Sequence, residues 1–190
     1  MAIISVFDML KIGIGPSSSH TLGPWKAANR FSNELINNKL IAKTTNIKVE
    51  LFGSLSLTGK GHATDIACMM GLTTEKPEEI LPEKMEEILQ KIETENHILI
   101  AGNRIPFLKN RDIVFHKKFL PFHPNGMKIT ASGPDFIFTK TYFSLGGGFV
   151  TEEGEDPEKA DNQTQIPYPI QTAAELLEYC KTGKSISEVV

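Results

Sequence analysis

The sequence predicts an α+β domain, a mixed or antiparallel sheet with packed helices, and three observations carry that expectation. Apolar residues recur every three or four positions through much of the first half, the period of amphipathic helices. The second half turns to short runs of β-branched and aromatic residues, the signature of strands. A stretch rich in charge and proline then separates this body from a last helical segment. With 190 residues, the chain has room for one ordinary domain of about 100 to 150 residues, and a second would be crowded.

Each element has its own local reason. "SVFDMLKIG" reads as a short helix with Val6, Phe7 and Leu10 on one face and Gly13 as a stop. From about Ser19 to Leu40 the residues Leu22, Trp25, Ala28, Phe31, Leu35 and Ile36 make one helical stripe. "TNIKVELFGS" alternates at Ile47, Val49 and Leu51 and reads as a strand ending at Gly53, after which a glycine-rich bend leads to a helix starting near His62 and closing at Gly71. "PEKMEEILQKIETEN" is a charged helix with Met85, Ile88, Leu89 and Ile92 as its buried stripe. "HILIAGNRIPF", "DIVFHKK", "MKITASG" and "DFIFTKTYFSLGGGFV" read as strands, with Asn125-Gly126 as a hairpin turn. Residues 151 to about 169 form a linker or exposed arm. Thr172 and Glu175 have capping-box spacing before "AAELLEYCKTG", and the same spacing at Ser185 and Glu188 opens a helix just before the sequence stops. The expectation is an N-terminal domain (1–150) plus linker (151–190), cut from a longer chain.

Composition excludes several classes. The formal net charge of -3 gives no pull toward nucleic acid or an anionic membrane surface. Asp8 interrupts the apolar opening and no basic segment precedes it, so it reads as neither signal peptide nor membrane span. Cys68 and Cys180 are too far apart in sequence for a zinc knuckle or a disulfide framework, which fits a reducing, cytoplasmic setting.

The chemistry concentrates in two stretches. "GPSSSHTLGP" packs Ser17, Ser18, Ser19, His20 and Thr21 at a helix start, where backbone N–H groups lack intrahelical partners and hydroxyls supplement them. A single N-cap needs one hydroxyl, and the surplus points to binding of a carboxylate or phosphate. "GSLSLTGKGHATD" fails the Walker pattern, with five residues between Gly53 and Gly59 and Gly61 after Lys60. It leaves His62 at a bend, suited to moving a proton, with Asp65 one turn on as a functional neighbour or a merely structural pair. His123 in "FHPNGM" is a weaker signal. Gly146, Gly147 and Gly148 permit close approach of a ligand, or simply a bulge ending the sheet. Cys68 reads as core, and neither cysteine belongs to a cluster ligand set.

With these motifs in order, the sequence resembles the β domain of the bacterial iron–sulfur L-serine dehydratases of the single-chain type, and the resemblance covers essentially the whole chain. It implies a fold similar to the allosteric substrate-binding domain of some phosphoglycerate dehydrogenases. The implied reaction converts L-serine to pyruvate and ammonia. It also implies a [4Fe-4S] cluster whose ligands lie in an α catalytic domain outside this sequence, so that no metal is held here. In the implied mechanism the cluster would serve as Lewis acid on the β-hydroxyl while a protein base takes the Cα proton. On this chain, His20 and His62 become the candidate catalytic residues. Ser17, Ser18, Ser19 and Thr21 become substrate-binding, with Asp65 and Asn125 as further candidates. The implied partners are L-serine, the α domain and a second copy in a homodimer, with no nucleic acid or membrane. Two other readings stand beside this one: an amino-acid-sensing regulatory module, and a pyridoxal-phosphate dehydratase using Lys60, which its place in a flexible glycine bend disfavours.

Overall fold

The computed structural model describes residues 12–155, 167–170 and 172–189. The helix expected over residues 5–13 lies almost wholly outside them. The body is α+β, as its patterning requires. Five strands form one mixed sheet: β1 (Asn46–Leu51), β4 (Ile113–Phe115), β5 (Gly126–Gly133), β6 (Phe136–Gly146) and β7 (Phe149–Glu152), in the order β4-β1-β5-β6-β7. Only β1 and β4 run parallel, and every other neighbouring pair is antiparallel. A separate hairpin joins β2 (His97–Ile100) to β3 (Asn103–Pro106).

Alternation sets which face is covered. Ile47, Val49 and Leu51 of β1 lie opposite Ala131, Ile129 and Met127 of β5, and all six are buried. Lys48 and Glu50 point the other way and pair with each other at 3.2 Å. Two helices cover the apolar face, α1 (Gly23–Asn37) and α3 (Thr64–Leu72). Trp25, Ala28, Phe31 and Leu35 of α1 are buried, in agreement with the stripe read from the sequence. In α3 Ala67, Cys68, Met69, Met70 and Leu72 are all buried, so it is apolar nearly all round. Phe31 and Leu35 have no exposed surface, and such side chains each contribute about 1.5–3 kcal/mol by leaving water. Outside this layer α4 (Pro82–Glu95) starts on its proline and rests on Ile92, with Met85, Ile88 and Leu89 half-buried.

Two expectations of local structure are corrected. Gly53–Leu57 forms a short helix, α2, where the sequence suggested only a bend. Asn125-Gly126 is not a hairpin turn: Gly126 starts β5, whose hairpin partner β6 follows Gly133. Asn125 is buried and used as a scaffold, while Pro134-Asp135 makes the turn between Gly133 and Phe136. The glycine run at 146–148 is the bulged connection between β6 and β7. All three φ angles are positive, at 95°, 58° and 76°, which side chains with a Cβ adopt only with strain. Beyond the single turn α5 (Lys109–Asp112) that precedes β4, the capping box of Thr172 and Glu175 is present at the start of α6 (Ala173–Lys181). A last turn, α7 (Ile186–Val189), follows it, with the Ser185 N–H on Glu188 at 2.7 Å. Where β7 ends, Arg30 of α1 grips Glu34, Glu152 and Glu155 at 3.0, 3.1 and 2.6 Å.

Candidate active site

The chain enters α1 through an extended Ser17 and one π-helical turn, Ser18–Leu22. Ser17 is the N-cap: its hydroxyl accepts the His20 N–H at 3.2 Å, and its carbonyl accepts the N–H groups of Thr21 and Leu22, each at 3.1 Å. The exposed Ser18 hydroxyl and the N–H groups of Ser18 and Ser19 have no hydrogen-bond partner among the described residues. Ser19 turns toward the next residue, placing its Oγ 2.8 Å from His20 Nδ1. The ring's other nitrogen, Nε2, lies 2.9 Å from Ser54 Oγ. His20 is thus held between two hydroxyls, each able to donate or accept, which satisfies a neutral imidazole fully. Burial, and then His62 nearby, lower its pKa below the usual imidazole value, partly offset by the Ser54 backbone.

His62 ends the 3₁₀ turn Gly59–His62, its ring centroid 5.0 Å from that of His20. Its Nδ1 lies 3.0 Å from the Thr58 carbonyl. A carbonyl only accepts, so in the neutral ring Nδ1 carries the proton and the lone pair sits on Nε2. Two threonines brace the backbones of the pair. The Thr21 hydroxyl donates to the His62 carbonyl at 2.8 Å, and the Thr64 hydroxyl donates to the His20 carbonyl at 2.6 Å. Both threonines are buried. The arrangement sets two imidazoles side by side, with an unspent hydroxyl and two unspent N–H groups in the adjoining turn.

The remaining sequence candidates take supporting places. Asp65 forms an ion pair with Lys109 at 3.0 Å, so a structural His62–Asp65 pair is absent. Asn125 donates its side-chain amide to the Ser144 carbonyl at 3.1 Å, and Ser144 Oγ donates to the Ser19 carbonyl at 2.7 Å. Asn125 therefore reaches the serine turn through Ser144. His123 Nδ1 accepts the Asn125 N–H at 3.1 Å, and burial lowers its pKa. Lys60 is exposed and lies over the Phe115 ring, unlike a buried Schiff-base lysine. Cys68 is fully buried, which pushes its thiol pKa far up. Sequence reasoning missed Ser54, Thr64 and Ser144. Ser54 and Thr64 stand inside the second motif, but their partners lie across the fold.

The chain belongs to the serine dehydratase beta chain family, which matches residues 5–155. Among its relatives, L-serine dehydratase 1 of Escherichia coli K12 is 43% identical over 189 residues, covering 97% of this chain and 42% of that protein. The L-serine dehydratase of Haemophilus influenzae is 40% identical over 193 residues, 99% of this chain and 42% of its own length. That of Streptomyces coelicolor is 42% identical over 196 residues, 98% of this chain and 43% of its own length. The chain thus spans less than half the length of these relatives.

Proposed function

We propose that this chain is the N-terminal domain of an L-serine dehydratase and supplies the acid–base groups that convert L-serine to pyruvate and ammonia. The observation that carries the reading is the His20–His62 pair, with ring centroids 5.0 Å apart. His62, with its proton fixed on Nδ1 by the Thr58 carbonyl, offers the Nε2 lone pair to the Cα proton. The β-hydroxyl leaves as water with the proton that the His62 imidazolium returns, and the enamine so formed tautomerises to an imine, which takes up water to give pyruvate and ammonia. A neutral His20 puts no second charge against the imidazolium formed at His62. The carboxylate belongs at the serine turn, on the free Ser18 hydroxyl and the N–H groups of Ser18 and Ser19, with Ser17 shaping the turn and Ser19 holding His20. Thr21 braces the His62 backbone, Asn125 reaches the serine turn through Ser144, and Asp65 is paired with Lys109.

A [4Fe-4S] cluster takes three or four thiolates, and the described residues do not fit it. Cys68 is sealed in the core, and among the described residues no three His, Cys, Asp or Glu side chains are grouped to hold a metal. We assign the cluster ligands to an α catalytic domain outside this chain. A cytoplasmic homodimer is the assembly we propose. Two free, distant cysteines fit a reducing compartment, and among the described residues no helix is long and apolar enough to cross a membrane.

The test is direct. The full-length protein, purified without air, should form pyruvate and ammonia from L-serine, whereas the 190-residue chain alone should be colourless and inactive. Absence of pyruvate with the full-length protein, or pyruvate from the chain alone, overturns the reading.

A further inference from the structure

We propose that Ser54 is a positioning residue of the site: the short helix α2 and its C-cap orient both imidazoles at once, Ser54 holding His20 and Thr58 holding His62. This rests on the reading of the two histidines as the acid–base pair. At one end of the helix the Ser54 hydroxyl lies 2.9 Å from His20 Nε2. At the other the Thr58 carbonyl accepts from His62 Nδ1 at 3.0 Å. Five residues, Ser54 to Thr58, therefore connect two rings that lie 42 positions apart in sequence.

The mount is fixed independently of the rings. Three consecutive N–H groups anchor it to the segment 118–126: Phe52 to the Gly126 carbonyl at 2.9 Å, Gly53 to Lys118 at 2.8 Å, and Ser54 to Pro124 at 2.8 Å. Gly53 sits at φ 54°, and a Cβ there would lie 2.2 Å from the Pro124 carbonyl oxygen. No other residue type could bring the chain this close. The Ser54 carbonyl is held in turn by the Thr58 N–H at 3.1 Å and hydroxyl at 3.0 Å. Ser54 thus has a fixed backbone, and the one hydrogen-bond partner of its hydroxyl among the described residues is the His20 imidazole. The N-cap position belongs to Phe52, so the Ser54 hydroxyl is not the group that starts the helix.

The experiment compares Ser54→Ala, Ser54→Thr and His20→Asn in the full-length enzyme, reading turnover of L-serine, half-saturating serine, the pH–rate profile and melting temperature. Loss of one hydrogen bond to a neutral ring corresponds to a turnover roughly 2- to 12-fold lower. Ser54→Ala is expected to show that loss, with half-saturating serine unchanged and the acid limb of the pH–rate profile displaced. Ser54→Thr, which keeps the hydroxyl, is expected to recover turnover and profile. Wild-type turnover and profile in Ser54→Ala overturn the proposal. So does a loss shared equally by both Ser54 variants, or one matched by a lower melting temperature with an unmoved profile. The His20→Asn variant separates the two levels. If it keeps full turnover, the histidine-pair reading itself fails. If it is slow while Ser54→Ala is normal, only the role of Ser54 falls.

Discussion

Replacing Ser17, Ser18 and Ser19 one at a time by alanine in the full-length enzyme should give three different outcomes, because the turn spends the three hydroxyls differently. Ser17 accepts the His20 N–H at 3.2 Å as the N-cap. Its loss should cost about 1 kcal/mol of stability and leave serine dependence almost unchanged. Ser19 lies 2.8 Å from His20 Nδ1. Losing that bond costs about 0.5–1.5 kcal/mol, a turnover roughly 2- to 12-fold lower. Ser18 is exposed and unpartnered among the described residues, so its loss should leave the melting temperature unchanged. If it holds the carboxylate, a hydrogen bond to a charged group is lost, worth about 1.5–3 kcal/mol, and half-saturating serine should rise roughly 10- to 150-fold. The assay is pyruvate formation against serine concentration, with melting temperature on the same samples. Normal serine dependence in Ser18→Ala, or an equal stability loss in all three, refutes the carboxylate cradle and makes the hydroxyls loop architecture.

Three further expectations follow from titration and burial. Hydrogen bonding to Arg30 holds Glu155 down to about 2, against a usual 4.5. Its stabilisation is present above 4.5 and is lost as pH falls toward 2, so Arg30→Met should flatten the dependence of melting temperature on pH in that window. His20 and His123 are depressed below 6.5, chiefly by burial, so the unfolded state takes up protons first and stability should fall as pH drops below 6.5. His20→Asn should weaken that slope, and an unchanged slope contradicts it. In the 190-residue chain a thiol reagent should modify the half-buried Cys180 and spare the fully buried Cys68 until the chain is unfolded. Modification of both at equal rates would contradict the core packing.

Much of the fold was legible because burial follows a period. Ile47, Val49 and Leu51 alternate and face the helices, and the three-to-four spacing from Leu22 to Leu35 names the buried side of α1. The helix Gly53–Leu57 was not legible: five residues are too few for a period, and its glycine reads as a strand end. Asn125-Gly126 misled for a related reason. Its dipeptide signal is local, whereas its role is set by a carbonyl 19 positions away, on Ser144. The site was legible as two motifs but not as a geometry. The surplus of hydroxyls marked the serine turn, yet the partners of its histidine come from chain crossings. Ser54 lies 34 positions from His20, and Thr64 lies 44. Asp65 likewise finds Lys109, 44 positions on, and not the neighbouring histidine.

The most direct measurement of the central claim is the turnover of L-serine by the full-length His62→Asn variant alongside its melting temperature. Asparagine keeps a polar group of similar reach without a titratable lone pair, and His62 is only partly buried, so little packing is lost. If His62 Nε2 takes the Cα proton, turnover should fall on the order of 100-fold or more, with the melting temperature unchanged. Turnover at the wild-type level, or a loss fully explained by a lower melting temperature, would contradict the assignment of His62 as the base.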